Sequence, residues 1–216
     1  MTTARRRHTS IVLAVSAVGW LKAAPVTPDE IAEQGRVDLD APPRRYLPYF
    51  QPADPRAENV TVRQLLAHVS GLQKDDDTRF DNPEFDDGAL ERLVRESVTR
   101  PLDFAPGEKF GYSNLGYCVL GDIVAKVSGE TFEAYVKQHI LEPLQMKSST
   151  LVLSETKRGP WARPHVVDDT YAVVPASHYP YSRRRAPSNA MSSTLHDMSA
   201  GRSFTEMGGS SRAGAS

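Results

Sequence analysis

Serine, lysine and tyrosine are the residues of this chain whose types and spacing suit nucleophilic chemistry. A serine that takes up an acyl group must first lose its proton to a nearby base. A lysine three residues further along a helix lies nearly one turn away, so the two side chains share a face and can touch. The chain contains one such pair, Ser154 and Lys157. No helical apolar pattern surrounds the pair, so it is weak as a motif.

A second group of chemically capable residues lies in the stretch DFAPGEKFGYSN, which ends at Asn114. Tyr112, Ser113 and Asn114 bring a phenol, a hydroxyl and an amide together. A free tyrosine has a pKa of about 10, so it is a poor base at neutral pH unless a cation favours the phenolate. The alternative interpretation is structural: Ser113 or Asn114 caps a helix and Tyr112 is a packing aromatic.

Composition and charge narrow the function classes. The 216 residues are enough for one domain of ordinary size, and 39% hydrophobic with 25% charged residues is typical of a soluble globular chain. A net charge of −1 gives no electrostatic reason to expect a nucleic-acid partner. Cys118 is the one cysteine, and no Cys/His cluster has metal-ligand spacing. We therefore predict no disulfide, no metal site, no cofactor and no nucleic-acid partner.

The elements that must position the reactive residues are mainly predicted helices. Thr61 with Gln64 three residues later is typical of a capping box. Asn114 leads into an apolar helix that Gly129 can close in a left-handed conformation. The five predicted helices begin at Thr27, Thr61, Ala89, Asn114 and Thr131, and they end at Gly35, Ser70, Thr99, Ser128 and before Pro143.

Regular signals weaken after Thr150. Short strands are predicted at Leu151–Leu153 and within Asp168–Pro175, and a helix start at Asp197. The other polar candidates have structural interpretations. His68 is expected at a helix end, where its charge and hydrogen bonding are favourable. Cys118 is expected in the core, and Arg183–Arg185 are expected to form a solvated surface patch.

Four stretches together resemble one known family, the β-lactamase-like serine hydrolases, which include class C β-lactamases, D-alanyl-D-alanine peptidases and related esterases. Each stretch is weak alone, but the four occur in order at compatible spacing over most of the chain. They are IAEQGRVDLDAPPRRYLP from Ile31, VTVRQLLAHVSGL from Val60, PGEKFGYSNLGYCVLGDIVAKVSG from Pro106 and RRRAPSNAMSSTLHDM from Arg183.

The resemblance implies an α+β, β-lactamase/transpeptidase-like fold, in which helices cover an antiparallel sheet and a second lobe is mainly helical. This chain is expected to hold mostly the helical lobe with an incomplete antiparallel sheet. We expect residues 1–26 to be a signal-like or non-native segment and 27–200 a partial β-lactamase-like domain. The Gly, Ser and Arg content of 201–216 predicts a disordered tail.

The resemblance also implies a function: a serine hydrolase that cleaves amide or ester bonds through an acyl-enzyme. Tyr112 would be the base or proton relay, Asn114 would orient substrate and lysine, and Ser113 would contact the substrate. The implied substrates are small molecules or peptides, namely β-lactams, D-alanyl peptides or esters. No cofactor is implied, and the oligomeric state is left open.

Two of the family's three motifs are not recognisable. Ser16 is the serine nearest to the expected nucleophile position, but residue 19 is glycine. Lys22 lies six residues on, about 240° around a helix at roughly 100° per residue. No Lys-Thr-Gly or His-x-Gly follows Met146. We therefore expect a copy that is cut or frame-shifted at both ends of the catalytic domain. The alternative function is an inactive fragment or a non-enzymatic binding descendant.

The N-terminal residues have the order of a signal peptide. Arg5–Arg7 precede an apolar run, Ile11–Leu21, and the small residues Ala23 and Ala24 follow. This order predicts a periplasmic or secreted protein. The alternative is an arbitrary start to the chain, which leaves a cytoplasmic location open.

Overall fold

Helices make up most of the regular structure. The structure, a computed structural model, describes residues 13–14, 35–74, 82–156, 162–167, 170–177 and 179–199. The predicted helix from Thr27, the predicted tail 201–216, and Ser16, Lys22 and Lys157 lie outside these ranges. The α-helices are α1 (Val62–Leu66), α2 (Ala89–Ser97), α3 (Asn114–Ser128), α4 (Phe132–Val136), α5 (Leu153–Thr156) and α6 (Ala186–Asn189).

Shorter helical segments join these elements. A π-helix, Lys137–Leu141, directly continues α4, and residues 195–199 are helical. Within the described ranges, 3-10 helices lie at Pro43–Arg45, Pro55–Asn59 and Arg183–Arg185.

Helix α1 begins as predicted. The Thr61 hydroxyl accepts the N–H of Gln64 at 3.2 Å, and the Gln64 side chain accepts the N–H of Thr61 at 3.1 Å, which completes the capping box. The helix ends at Leu66 rather than at Ser70. The reason is His68, whose φ of 57° is left-handed and cannot continue a right-handed helix.

Helix α3 is the central element of the described core. It packs against α1, α2, α4 and α6, and ten of its fifteen residues are buried. A Cβ on Gly121 would lie 2.2 Å from Cγ of Pro187, so the absence of a side chain lets α6 approach this closely. Gly129 ends α3 with a φ of 80°, as predicted. The other predicted helices are confirmed at Ala89 and Thr131, with ends that differ by a few residues.

The strands in the described part of the chain are short and form two antiparallel pairs. Strand β1 (Leu13–Ala14) pairs with β4 (Ser192–Ser193), with Leu13 opposite Ser193. Strand β2 (His165–Val167) pairs with β3 (Val173–Pro175), with His165 opposite Pro175. The helix-rich fold with a small antiparallel sheet confirms the predicted fold class.

One strand prediction is wrong and one is confirmed in part. Residues 151–153 are not a strand, since Leu153 begins α5 and the carbonyl of Leu151 accepts the Tyr181 hydroxyl at 3.0 Å. Strand β3 occupies the last part of the strand predicted within residues 168–175. Its partner β2 was not predicted.

The arginines of Arg183–Arg185 are not a solvated patch, so that prediction is wrong. Arg184 is only 3% exposed and pairs with Glu84 and Glu96 at 2.5 Å each. Arg183 pairs with Glu133 at 2.7 Å. These residues lead into α6, which is buried, and a buried guanidinium is tolerated only with carboxylate partners.

Candidate functional site

Two loops run side by side at the start of α3 and together form the candidate site. We call residues 68–73 the His68 loop and residues 103–113 the Tyr112 loop. Backbone hydrogen bonds join them at several points along their length, so two stretches that are distant in sequence form one unit. The bonds run from Asp103 N to Gly71 O (2.9 Å), from Gly107 N to Val69 O (2.7 Å) and from Gly111 N to His68 O (2.8 Å).

Glycines allow the two loops to approach this closely. Gly71 has a φ of 79°, and a Cβ there would lie 2.1 Å from the carbonyl oxygen of Phe104. A Cβ on Gly111 would lie 2.4 Å from the ring of Phe104. Phe104 is buried between these glycines and anchors the Tyr112 loop.

Ser113 is the N-cap of α3. Its hydroxyl accepts the N–H of Gly116 at 3.1 Å and donates to the carbonyl of Gln73 at 2.8 Å. Its own N–H donates to Nδ1 of His68 at 3.1 Å. The helix-cap interpretation of Ser113 is confirmed. Substrate contact by Ser113 stays a prediction, and the residue is only 1% exposed, with its hydroxyl already in two hydrogen bonds.

Tyr112 and Asn114 lie together on the other side of this turn. The Tyr112 hydroxyl donates to Oδ1 of Asn114 at 2.9 Å, and both residues are half-buried. Burial raises the pKa of Tyr112 above its ordinary value. At neutral pH the phenol is therefore protonated and acts as a hydrogen-bond donor.

The chemistry available to this pair depends on a third group. A protonated phenol can pass a proton along a hydrogen bond, but it becomes a base only when a cation stabilises the phenolate. The amide nitrogen of Asn114 carries two N–H donors, which suit a substrate carbonyl. The catalytic roles of Tyr112 and Asn114 thus remain predictions, and the geometry is compatible with both.

The structure brings Tyr112, Ser113 and Asn114 together but places no serine–lysine pair beside them within the described ranges. Ser154 is an exposed residue of α5. Lys157, the other half of that pair, is outside the described residues. So are Ser16 and Lys22.

His68 is the residue of this site that sequence reasoning interpreted differently. It was expected to be a helix-end residue that is favourable there through its charge and hydrogen bonding. It lies instead beyond the end of α1, is 1% exposed and accepts a hydrogen bond from Ser113. The HVSGL pattern marked the segment as part of the family motif. The contact with Ser113 depends on the tertiary approach of the two loops, which no local pattern reveals.

A polar cavity of about 350 Å³ lies elsewhere, along the second half of α3. Asp122 and Lys126 line it from α3, Glu91 from α2 and Arg183 from the segment before α6. Asp122 is eight residues from Asn114, about 12 Å along a helix axis. The cavity's charges pair with one another, as Lys126 does with Glu91 at 2.6 Å. We therefore assign the candidate site to the motif rather than to the cavity.

Two general features of the described residues bear on the site. No group of three or more His, Cys, Asp or Glu side chains among them is arranged to hold a metal ion. Nor does the described part of the chain contain a helix with the length and hydropathy that a bilayer span requires.

The fold and the tyrosine–asparagine turn define a β-lactamase/transpeptidase-like protein. The family model for Beta-lactamase matches residues 26–214, and the chain belongs to that family. It is 34% identical over 122 residues to Protein flp of Staphylococcus aureus (strain MW2), a match covering 56% of this chain and 24% of that protein. It is 34% identical over 140 residues to Esterase EstB of Burkholderia gladioli, covering 59% of this chain and 36% of the esterase.

Solved structures support the same fold. The octameric penicillin-binding protein homologue from Pyrococcus abyssi superposes with a TM-score of 0.72 at 26% identity, covering 91% of this chain and 45% of that one. The D-stereospecific amidohydrolase from Streptomyces sp. gives 0.72 at 24% identity, covering 93% and 62%, and shows the fold alone. The chain therefore spans 24% and 36% of these two curated relatives and 45% and 62% of these solved chains.

Proposed function

We propose that this protein is a serine hydrolase that cleaves amide or ester bonds through an acyl-enzyme, with Tyr112 as proton relay or base and Asn114 as the residue that orients the substrate. One observation carries the proposal: the Tyr112 hydroxyl is hydrogen-bonded to Asn114 at 2.9 Å, at the N-terminus of the central helix. Membership of the β-lactamase family suggests that the reaction this pair serves is acyl transfer to a serine.

The proposed reaction has two steps. The serine oxygen attacks the substrate carbonyl, its proton passes to the base, and the amine or alcohol leaves with a proton returned through the same relay. A water molecule then attacks the acyl-serine and releases the acid. Because burial raises the pKa of Tyr112, the side chain can accept the serine's proton only as the phenolate. A neighbouring cation must stabilise that form, and a lysine is the expected one.

The proposed substrates are β-lactams, D-alanyl peptides and small esters. Among the similar proteins are an esterase, a D-stereospecific amidohydrolase and a class C β-lactamase solved with cefoxitin. Family membership and the match to the esterase support attack on a carbonyl carbon. The amidohydrolase and the β-lactamase share the fold, and their names indicate which substrate classes to test first.

A covalent probe tests the proposal. The folded 216-residue chain is incubated separately with a fluorescent penicillin and a fluorophosphonate, and its intact mass is measured. We expect one adduct per chain, located on a serine by peptide mapping and absent in the Ser→Ala variant of that position. Ser16→Ala and Ser154→Ala are made first. The absence of any adduct on protein that is folded by circular dichroism would contradict the proposal.

The second candidate is a non-catalytic descendant that retains a binding pocket. It is favoured by one observation: glycine stands at residue 19, where a lysine would complete a pair with Ser16. This candidate predicts reversible binding of penicillin, measured by calorimetry, with no change in the intact mass of the chain.

A further inference from the structure

His68 contacts the peptide segment of Tyr112 from both sides. Its carbonyl oxygen accepts the N–H of Gly111 at 2.8 Å, and its Nδ1 accepts the N–H of Ser113 at 3.1 Å. Gly111 and Ser113 are the residues immediately before and after Tyr112. A single residue of the His68 loop therefore fixes both neighbours of the proposed catalytic tyrosine.

The imidazole ring also packs directly on the phenol ring. The ring centroids of His68 and Tyr112 are 4.7 Å apart. The imidazole also stacks with Tyr117, at a centroid distance of 4.9 Å, and makes an edge contact with Phe110 at 5.7 Å. Tyr117 belongs to the first turns of α3, so His68 connects the Tyr112 loop to the helix that carries Asn114.

The backbone of His68 has an unusual conformation that makes both hydrogen bonds possible. Its φ is 57°, in the left-handed region that non-glycine residues adopt uncommonly, although histidine, asparagine and aspartate are enriched there. Such conformations persist where the surrounding structure holds them, and they concentrate at functional sites. Here the conformation directs the carbonyl and the ring of one residue toward the same neighbouring loop.

We infer that His68 is a positioning residue for Tyr112 and holds the phenol beside Asn114. To accept the N–H of Ser113, Nδ1 must carry no proton, so the ring is neutral with its proton on Nε2 in this arrangement. The catalytic meaning of this inference rests on the proposed role of Tyr112 in acyl transfer. The positioning itself does not depend on activity.

A matched pair of substitutions tests the inference. His68→Asn and His68→Gly both lack the imidazole ring, and both asparagine and glycine tolerate a left-handed backbone. Only asparagine offers a side-chain oxygen near the former position of Nδ1 to accept the N–H of Ser113. The pair therefore isolates the acceptor from the backbone conformation and from the loss of the ring.

The first readout is amide hydrogen exchange by NMR. We expect the Ser113 amide to exchange about tenfold faster in His68→Gly than in His68→Asn, the effect of losing one ordinary hydrogen bond. The Gly111 amide is the internal control, because it bonds to the backbone carbonyl of residue 68 in both variants. Equal exchange of Ser113 in the two folded variants would overturn the inference.

The second readout is the rate of acylation by the probe. We expect His68→Gly to lower the acylation rate constant by about 100-fold, the scale of a misplacement of about 1 Å, while apparent probe affinity changes little. His68→Asn should recover a large part of the loss. A folded His68→Gly protein that acylates at the wild-type rate would overturn the inference.

Two further outcomes are informative. Wild-type protein that shows no acylation contradicts the proposed function alone, and the exchange experiment still tests positioning. If His68→Gly does not fold, NMR of the wild-type protein provides the test. A nitrogen–nitrogen scalar coupling between the Ser113 amide and Nδ1 of His68 supports the inference. A ring protonated at Nδ1 in the folded protein at neutral pH overturns it.

Discussion

The two ends of α3 use buried polar groups in different ways. At the N-terminal end, Ser113 and His68 are bonded mainly to backbone groups, and they hold Tyr112 and Asn114 in place. In the C-terminal half, the polar side chains bond to one another. Tyr49 donates to Asp122 at 2.6 Å.

The C-terminal group, which we call the Asp122 cluster, comprises Tyr49, Glu91, Arg95, Asp122 and Lys126. Asp122 is 2% exposed, and burial raises its pKa. The Arg95 guanidinium lies 3.9 Å from the centre of the Tyr49 ring, and Lys126 pairs with Glu91 at 2.6 Å. Every charge in the cluster thus has a side-chain partner.

The comparison separates a group of charges that pair with one another from a group that positions the side chains of the candidate site. Charges that already pair with one another within a cluster are not available to bind a ligand. Backbone-anchored residues instead fix geometry, and the side chains that they carry remain suited to chemistry. Substitutions in the two regions should therefore differ in what they change, and the predictions below test that difference.

The largest expected effect is that of Gly71→Ala in the His68 loop. The new Cβ meets the carbonyl of Phe104 at 2.1 Å and the backbone has a φ of 79°. We expect a loss of about 3 kcal/mol in the free energy of unfolding, measured with urea. Gly129→Ala is the control, because its φ is 80° but no atom lies within 4 Å of the new Cβ. It should lose only about 1 kcal/mol, and equal losses would contradict the close contact of the loops.

Tyr49→Phe tests the Asp122 cluster. The substitution removes the donor to a buried carboxylate and should cost about 2 kcal/mol at pH 7. Asp122→Asn should cost less, below about 1 kcal/mol, because the amide oxygen still accepts from Tyr49. Neither substitution should alter exchange of the Ser113 amide, which lies at the other end of α3. A change there would show that the two regions are coupled.

The pH dependence of the same pair follows from the raised pKa of Asp122. A carboxyl whose folded pKa lies above its unfolded value of 3.8 contributes stability that is present below 3.8 and is lost as the pH rises through the folded pKa. Asp122→Asn lacks this dependence. The stability of the wild type relative to the variant should therefore fall as the pH rises from 3.8 through the folded pKa of Asp122, and a rise would contradict the burial of the charge.

Ser113→Ala should have a somewhat smaller effect than Tyr49→Phe, about 1.5 kcal/mol, because it removes both the cap of α3 and the bond to Gln73. The matched control is Thr131→Ala, which removes the single cap bond of α4 to Ala134 and should cost about 1 kcal/mol. Urea unfolding compares the two. If Ser113→Ala lowered the free energy of unfolding by less than Thr131→Ala, the bond to Gln73 would contribute nothing to stability.

The smallest effect concerns the titration of Tyr112. Burial raises its pKa, so its phenolate absorbance should appear above about pH 10, later than that of an exposed tyrosine. The difference spectrum between wild type and Tyr112→Phe measures it. Its raised pKa also contributes stability that is present below about pH 10 and lost above it. A Tyr112 that titrates below its ordinary range would point to a cation beside the phenol.

Local signals were sufficient for much of the fold. The capping box at Thr61, the start of α3 after Ser113 and the left-handed glycine at its end were predicted correctly, because each depends on residues within one helical turn. Tyr112 and Asn114 were singled out by the Tyr-x-Asn motif of the resemblance. They are two residues apart at the start of α3, which lets the phenol reach the amide oxygen.

Features that depend on distant partners were not predictable. Arg184 was expected in solvent because its carboxylate partners, Glu84 and Glu96, lie about a hundred residues earlier. The role of His68 was missed because Ser113 is 45 residues away. The early end of α1 follows from the left-handed backbone of His68, which the contacts with the Tyr112 loop hold in place.

The most direct test of the central claim is the acylation rate constant of Tyr112→Phe compared with that of Tyr117→Phe. Both phenols touch the His68 ring, but only Tyr112 is bonded to Asn114. We expect Tyr112→Phe to acylate about 100-fold to 10,000-fold more slowly than wild type at pH 7, the range for loss of general acid–base catalysis, and Tyr117→Phe to remain close to wild type. Equal rates for the two folded variants would contradict the assignment of the site to Tyr112.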